Sequence, residues 1–343
     1  MPLLILLAIL AVIAIVCIFH QLSRGFAKTN LNDQYTWGLY IQGFFFLVSA
    51  GAGALMVLSM LTLAQVPMPA GFADFGNALA FTLLIGGMVI LGLDLGKPMR
   101  IFYMITSKNF KSPLIWDFYT LGLTALLSLL FLFPFLSESG VGSQVWALLM
   151  LLAAGMCVTV HAMFFPAHEK GGNQANLFLV FDTFLFSLSG GCALLTLMGA
   201  YLGLSLPLLS RCLFLLAILL VLSAAGHKIA PLRSGRDGLL TVCNLLKILV
   251  VVLLAVWQWA APTQGLAVAA AALALVLLFL EKYHTVAHAQ HEPPIPGTYG
   301  SHRPAATYRP AAKEWLIFIG GFSICLLLWA GICLLKGIWP WTL

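Results

Sequence analysis

The sequence predicts an all-α, polytopic integral membrane protein of about ten transmembrane helices, arranged as two repeated four-helix bundles with flanking helices. Of the 343 residues, 62% are hydrophobic and only 8% are charged, whereas a soluble domain is roughly 25% charged. The apolar runs are continuous rather than alternating, which favours helices over a membrane β-barrel. This composition excludes a soluble globular enzyme, a disordered chain and a nucleic-acid-binding protein.

Ten apolar runs are candidates for membrane spans, because a spanning helix needs about 20 apolar residues. They cover residues 2–19, 37–64, 77–93, 113–135, 146–165, 177–202, 208–230, 239–257, 266–280 and 314–335, and are numbered spans 1 to 10. The first run lacks the basic start and the small-residue cleavage site of a signal peptide, so we expect an uncleaved helix.

Lysine and arginine residues indicate the orientation. The loops after spans 1, 3, 5, 7 and 9 carry 14 of them, and the other side carries only Arg211 and Lys336. Cytoplasmic loops are enriched in basic residues. We therefore expect the odd-numbered loops in the cytoplasm and both termini outside.

An internal repeat relates the two halves of the chain. Shifted by 140 residues, Gln42 falls on Asp182 and Gly51 on Gly191. The two spans run in the same direction, so the repeat axis lies along the membrane normal. We expect an extra helix in residues 1–30, a first bundle in 31–170, a second in 171–295, and a cytoplasmic loop with the last span in 296–343. The small residues 49–54 predict close packing of span 2.

Metal ligands are sparse in this sequence. The seven cysteines lie singly within apolar runs, without the spacing of an iron–sulfur or zinc site. Only His161 is embedded in a span, so paired axial ligands for a haem are not expected. His284, His288 and His291 have helical spacing, and we interpret them as a solvated extension of span 9. We expect no intrinsic metal.

Three motifs in the first half of the chain carry a resemblance. They are Leu31-Asn32-Asp33-Gln34 with Trp37-Gly38-Leu39-Tyr40, then Leu93-Asp94-Leu95-Gly96-Lys97-Pro98-Met99-Arg100, and then Asn109-x-x-Ser112-x-x-x-Trp116-Asp117. Together they resemble the NrfD/PsrC (polysulfide reductase NrfD) family of quinone-interacting membrane subunits. The motifs cover about residues 30–120, and the repeat extends the resemblance to about 290. Trp37, Tyr40, Arg100, Asn109, Ser112 and Trp116 are then structural motif residues.

The resemblance implies a function. It implies a membrane anchor of a respiratory oxidoreductase complex in a bacterial or archaeal inner membrane, which binds menaquinone or menaquinol. The partners implied are an iron–sulfur subunit on the outer face and a molybdopterin enzyme or multihaem cytochrome beyond it. The chain itself would hold no haem and no cluster.

Polar groups toward the outer face of the first bundle are our quinone-binding candidates, because electrons leave toward the partner there. They are Thr62, Gln65, Asn77, Thr82, Ser128, Gln144 and Trp146.

Embedded ionisable and polar groups in the inner half are our proton-path candidates, because such groups are costly in a bilayer. They are Gln42, Asp94, Asp117, His161, Asp182 and Lys247. Lys247 lies roughly 12 Å into span 8, and either pairs with Asp182 or snorkels to the surface. Asp94 and Asp117 are alternatively loop clamps with Lys97 and Arg100, and His161 is alternatively a packing residue.

A secondary transporter or ion pump is the alternative function. A parallel repeat and an embedded Lys and Asp suit that class. The short, uncharged outer loops and the motifs favour the anchor subunit.

Overall fold

The computed structural model describes residues 2–25, 29–31, 35–95, 101–133, 140–163, 177–204, 206–229, 238–289 and 308–337. These residues form eleven helices: α1 (Pro2–Arg24), α2 (Leu39–Leu63), α3 (Phe72–Asp94), α4 (Ile101–Thr106), α5 (Pro113–Phe131), α6 (Gly140–Met163), α7 (Leu177–Tyr201), α8 (Pro207–Ile229), α9 (Gly238–Trp259), α10 (Gln264–Ala289) and α11 (Ala312–Leu335). Within this part of the chain, ten helices are long and apolar enough to cross a membrane. The predicted all-α, polytopic membrane fold is confirmed.

The ten spanning helices alternate in direction. We name the membrane face at which α1, α3, α6, α8 and α10 end the basic face, because the lysine-rich loops follow those helices. The other side is the opposite face. The short helix α4 lies between the basic-face ends of α3 and α5 and was not predicted, because six residues give too short an apolar pattern.

Helix packing divides the spanning helices into two rings. In the first bundle, α2 packs on α3, α3 on α5, α5 on α6, and α6 returns to α2. In the second bundle, α7, α8, α9 and α10 close a ring in the same way. Each ring buries an interior between four helices, which is where a polar site is shielded from lipid. The division follows the predicted repeat, and the exact domain boundaries stay a prediction.

Two glycines bring the bundles together. A Cβ on Gly53 of α2 would lie 1.8 Å from the carbonyl oxygen of Ser187, and one on Gly191 of α7 would lie 2.2 Å from the Gly53 carbonyl carbon. Only residues without a side chain allow this approach of two backbones. The small-residue run of α2 is thus buried at the crossing with the second bundle.

The flanking helices α1 and α11 pack on each other, and α11 packs on α3. At the basic face Glu314 of α11 is 1% exposed. It accepts hydrogen bonds from the backbone N–H of Asn30 at 3.0 Å, from that of Ala311 at 3.2 Å, and from the Tyr308 hydroxyl. Tyr35 stacks on Tyr308, and burial raises the pKa of Tyr35 to about 12. These contacts fix the start of α11 to the first bundle.

Candidate functional site

A small cavity lies between α2, α3, α5 and α6, near the opposite face of the first bundle. Its volume is about 30 Å³, and its walls include Leu55, Leu58, Thr62, Asn77, Trp146 and Met150. Thr62 lies in the last turn of α2, whereas Asn77 and Trp146 lie in the first two turns of α3 and α6. The structure therefore brings three of the quinone-binding candidates together in one apolar pocket.

Trp146 has a buried indole Nε1 that lacks a hydrogen-bond partner among the described residues. A buried N–H without a partner costs about 1–3 kcal/mol, so its presence needs an explanation. Asn77 and Ser128 satisfy each other instead. The Asn77 Nδ2 donates to the Ser128 carbonyl at 2.9 Å, and the Ser128 hydroxyl donates to the Asn77 Oδ1 at 2.9 Å. This pair clamps α3 to α5 beside the cavity.

The polar groups of the remaining quinone-binding candidates either bond to a carbonyl of their own helix or lie outside the cavity lining. The hydroxyls of Thr62 and Thr82 donate to the carbonyls of Leu58 and Leu79, each at 2.9 Å. Gln65 is exposed in the turn after α2 with a φ of 52°. Gln144 is half-buried on α6 and does not line the cavity. Trp146 is thus the one candidate whose polar atom is both buried and unused.

A larger cleft of about 490 Å³ lies nearby at the opposite face, between the α2–α3 turn and the start of α8. Its walls are apolar and include Val66, Met68, Phe72, Leu206 and Leu209. Its lining contains no polar side chain among the described residues.

Asp117 of α5 and His161 of α6 form a buried pair near the basic face. The His161 Nδ1 lies 3.1 Å from the Asp117 Oδ1, and the two residues are 1% and 2% exposed. The His161 ring also packs against the edge of Phe45, with centroids 4.0 Å apart. Asp117 is therefore paired across two helices rather than acting as a clamp of the loop, and His161 does have an acidic partner.

A line of hydroxyls runs from this pair toward the cavity. Thr120, Thr124 and Ser128 lie on one face of α5, and all three are buried. The Thr124 hydroxyl donates to the Thr120 carbonyl at 2.7 Å, and the Thr120 hydroxyl donates to the Trp116 carbonyl at 2.9 Å. The 11 residues from Asp117 to Ser128 span roughly 16 Å. Thr120 and Thr124 were not predicted as site residues. They follow Asp117 at i+3 and i+7, and this spacing places all three residues on one face of a helix.

Two further polar candidates lie inside the first bundle. Gln42 is 0% exposed, and neither its amide nitrogen nor its amide oxygen has a hydrogen-bond partner among the described residues. The Asp94 Oδ1 is likewise buried without a partner at the end of α3. Lys97 and Arg100, the expected partners of Asp94, lie outside the described residues.

The second bundle holds a different set of charges from the one predicted. Lys247 of α9 is 5% exposed, and its Nζ lies 4.0 Å from the Glu281 Oε2 and 3.4 Å from the Asn244 Oδ1. Asp182 instead accepts a hydrogen bond from Ser223 of α8. The predicted pairing of Asp182 with Lys247 is therefore wrong, because α10 supplies a nearer carboxylate. Lys247 does not snorkel, and its Nζ lies 5.0 Å from the centre of the Phe186 ring.

The end of α10 explains the error. The helix continues to Ala289, well beyond the predicted end at residue 280, and buries Glu281, Lys282 and His284. The interpretation of His284 as solvated is wrong, since it is 2% exposed. His291 lies outside the described residues, as does the side chain of His288. A signal was available, because the sequence contains no glycine or proline between residue 280 and Pro293.

Motif residues at the basic face hold the first bundle in shape. Trp37 is half-buried against the core. The Tyr40 hydroxyl donates to the Gln21 Oε1 at 2.5 Å. The Trp116 Nε1 donates to the Phe110 carbonyl at 2.7 Å, and the Ser112 backbone N–H donates to the Asn109 carbonyl at 3.0 Å. Arg100 lies outside the described residues. Among the residues that the structure describes, no group of three His, Cys, Asp or Glu side chains is placed to hold a metal ion.

Comparisons with known proteins give one family match and two relatives. The family described as Polysulphide reductase, NrfD matches residues 27–168. A protein of Halobacterium salinarum, provisionally named as a membrane subunit of dimethyl sulfoxide reductase, is 35% identical over 100 residues, which are 29% of this chain and 23% of that protein. A selenate reductase subunit of Mesobacillus selenatarsenatis is 22% identical over 103 residues, which are 30% and 24% of the two chains.

The matched segment spans about a quarter of the length of each of these two relatives. The family match contains α2, α3, α5 and α6, the four helices that enclose the cavity and the Asp117–His161 pair. The predicted resemblance is confirmed over residues 27–168, the segment that matches the NrfD family.

Proposed function

We propose that this chain is the quinone-interacting membrane anchor of a respiratory reductase complex. The chain binds menaquinone or menaquinol in its first bundle and exchanges electrons with an iron–sulfur partner on the opposite face. Both relatives are named as subunits of a reductase, and one of them as a membrane subunit, which supports a subunit role. A molybdopterin enzyme or multihaem cytochrome is the further partner that the family resemblance implies.

The buried, unused Nε1 of Trp146 carries this proposal. A quinone ring is apolar apart from its carbonyl or hydroxyl oxygens, and it suits a pocket with apolar walls and one convergent donor. Leu55, Leu58 and Met150 supply the walls, and Trp146 supplies the donor. The chemistry of the lining fits the group. The volume of about 30 Å³ holds one water molecule, so side chains between α2 and α6 have to move apart to admit a ring.

The bound quinone supplies two-electron, two-proton redox chemistry. The Trp146 Nε1 would donate to one of its oxygens and so orient it, and the Asn77–Ser128 clamp fixes one wall of the cavity. Leu58 and Met150 exclude water, which strengthens a hydrogen bond from the indole. The position near the opposite face keeps the ring close to a partner docked on that side.

Proton transfer is the second part of the proposal. His161 and Asp117 near the basic face hold a proton between them, and the hydroxyls of Thr120, Thr124 and Ser128 lead toward the cavity. Each hydroxyl offers one donor and two acceptor positions. Neighbouring hydroxyls are four residues apart, roughly 6 Å along the helix, so a water molecule between them would carry the proton from one to the next. Gln42 provides unused buried amide atoms in the same bundle. Asp94 is a further group at the basic-face end.

Localisation follows from charge. We place the basic face in the cytoplasm of a bacterial or archaeal cell, with the chain in the inner membrane and both termini outside. Electrons then cross only the outer part of the membrane, whereas protons reach the site from the inner side.

The experiment uses Trp146→Phe, which keeps the aromatic ring and removes the N–H. We expect the affinity of the purified protein for a hydroxyquinoline N-oxide quinol analogue to fall about tenfold, as for loss of one hydrogen bond of about 1.5 kcal/mol. Trp257→Phe, a buried tryptophan of the second bundle, is the matched control and should bind as the unaltered chain does. Equal affinities of the two variants would exclude Trp146 as the headgroup donor.

A transporter remains the competing function, because the second bundle contains the buried pair Lys247–Glu281. Affinity purification from native membranes separates the two. An anchor subunit brings an iron–sulfur protein with it, and a transporter is recovered without one.

A further inference from the structure

Residues 101–112 form a hairpin that folds back onto α5. This segment consists of helix α4 and the turn after it, and we call it the interfacial hairpin. The Tyr119 hydroxyl donates to the Ile105 carbonyl at 3.1 Å, and the Trp116 Nε1 donates to the Phe110 carbonyl at 2.7 Å. Tyr119 lies in the second turn of α5, so these two side-chain hydrogen bonds tie the hairpin to the first two turns of the spanning helix.

The side of α5 that carries the hairpin faces lipid. Trp116 and Tyr119 are followed by Leu123 and Leu126 at helical spacing, and all four are more than a third exposed. The opposite side of α5 is buried, with Asp117, Thr120 and Thr124 turned to the bundle interior. Since the hairpin covers the continuation of a lipid-facing stripe, it lies in the interfacial layer of the membrane.

The hairpin itself presents large apolar and aromatic side chains outward. Phe102, Tyr103, Ile105 and Phe110 are 54%, 73%, 53% and 56% exposed. Phe110 stacks on Tyr119 with centroids 6.5 Å apart. Aromatic residues concentrate where acyl chains meet headgroups. If the hairpin lay in water, these four large apolar or aromatic side chains would form an unfavourable exposed patch on only twelve residues.

Two lysines complete the surface. Lys108 and Lys111 are exposed at the tip of the hairpin, and the segment 101–112 contains no acidic residue. A lysine near a membrane surface is attracted to anionic lipids. The hairpin thus carries positive charge at its tip and apolar side chains along the rest of its length.

We propose that the interfacial hairpin is a binding site for an anionic phospholipid, with Lys108 and Lys111 on the headgroup phosphate and Phe102, Tyr103 and Phe110 along the acyl chains. The site is independent of the quinone site, from which the bundle interior separates it. It anchors α4 at the membrane surface, and so holds the basic-face end of α5, which carries Asp117.

The test uses the full chain, purified and delipidated, with Lys108→Gln/Lys111→Gln as the variant. Native mass spectrometry gives the affinity for phosphatidylglycerol and for phosphatidylcholine. We expect the variant to bind phosphatidylglycerol about 25-fold more weakly, roughly fivefold for each lysine, with phosphatidylcholine affinity unchanged. Arg309→Gln/Lys313→Gln removes two exposed charges from the same membrane face and is the matched control, which should keep its affinity.

A second measurement reports depth without altering charge. Phosphatidylglycerol with brominated acyl chains should quench Trp116, measured as the fluorescence difference between the unaltered chain and Trp116→Phe. Equal phosphatidylglycerol affinity of the two double variants would overturn the headgroup assignment, and an unquenched Trp116 would overturn the interfacial position. If the lysine variant instead loses a soluble partner while lipid binding stays the same, the hairpin is a protein-docking surface and the proposal is wrong.

Discussion

Asp117 and His161 show how much a pair of buried residues shapes the first bundle. Each is nearly fully buried, and their ring nitrogen and carboxylate oxygen are 3.1 Å apart across α5 and α6. Both residues are costly to bury alone. Their contact satisfies the His161 Nδ1, whereas the buried His161 Nε2 has no hydrogen-bond partner among the described residues. The pair therefore fixes the register of the two helices at the basic face, besides any role in proton transfer.

Substitution of either partner should test this coupling. We expect Asp117→Leu and His161→Leu each to lower the free energy of unfolding by about 1–3 kcal/mol, because the remaining group is left unsatisfied. The double substitution should cost less than the sum, with a coupling of at least about 1 kcal/mol. Denaturant titrations in detergent measure these values. Asp74→Leu combined with His161→Leu is the control, since Asp74 lies at the opposite face and its effect should add.

Lys247 offers a second prediction at this scale. Its Nζ lies 4.0 Å from Glu281, so a double-mutant cycle of Lys247→Met with Glu281→Gln should show coupling of about 0.5–3 kcal/mol. The cycle of Lys247→Met with Asp182→Asn should show coupling near zero. A larger coupling to Asp182 would restore the pairing predicted from sequence.

At the scale of elements, the crossing of α2 and α7 joins the bundles. Association of helices in lipid depends on close packing. Lipid tails are as apolar as the helix surfaces, so no hydrophobic force drives the helices together. Gly53 and Gly191 provide that packing, because backbone atoms of the facing helix occupy the space that a side chain would need at each position. The small-residue run is therefore a structural feature of the interface between bundles.

Gly53→Ala should disrupt this crossing. The new Cβ would lie 1.8 Å from the Ser187 carbonyl oxygen, and overpacking of this kind costs about 1–3 kcal/mol or more. Thermal unfolding in detergent should show a clear loss of stability. Gly155→Ala is the matched control, since a Cβ there meets no atom within 4 Å. It should keep or raise stability by up to about 1 kcal/mol, and equal effects of the two substitutions would contradict the close crossing.

At the scale of the whole molecule, charge separates the two membrane faces. Lys282 was counted among the 14 basic residues of the loops, but it is buried in α10. The remaining Lys and Arg residues of the loops still lie predominantly at the basic face. Asp74 and Lys336 form an ion pair at the opposite face, 2.7 Å apart, which further reduces the free positive charge on that side. The orientation therefore does not depend on any single loop.

A topology reporter tests the orientation. Alkaline phosphatase fused after Lys336 should be active, because the enzyme folds only outside the cytoplasm. The same reporter fused after Arg233, in a basic-face loop, should be inactive. The reverse pattern would invert the placement of both faces.

The sequence by itself determined the membrane class, ten spanning helices and the NrfD-family motifs, because bilayer thickness imposes the length and apolarity of each helix on the sequence. Only the tertiary structure decided which polar residues meet. Asp117 and His161 lie 44 residues apart, and Lys247 and Glu281 lie 34 apart. A hydropathy pattern gives the depth of a residue but not its rotation about the helix axis, and rotation selects its neighbours. The same limit hid the attachment of the hairpin to α5, which depends on the side-chain hydrogen bonds of Trp116 and Tyr119.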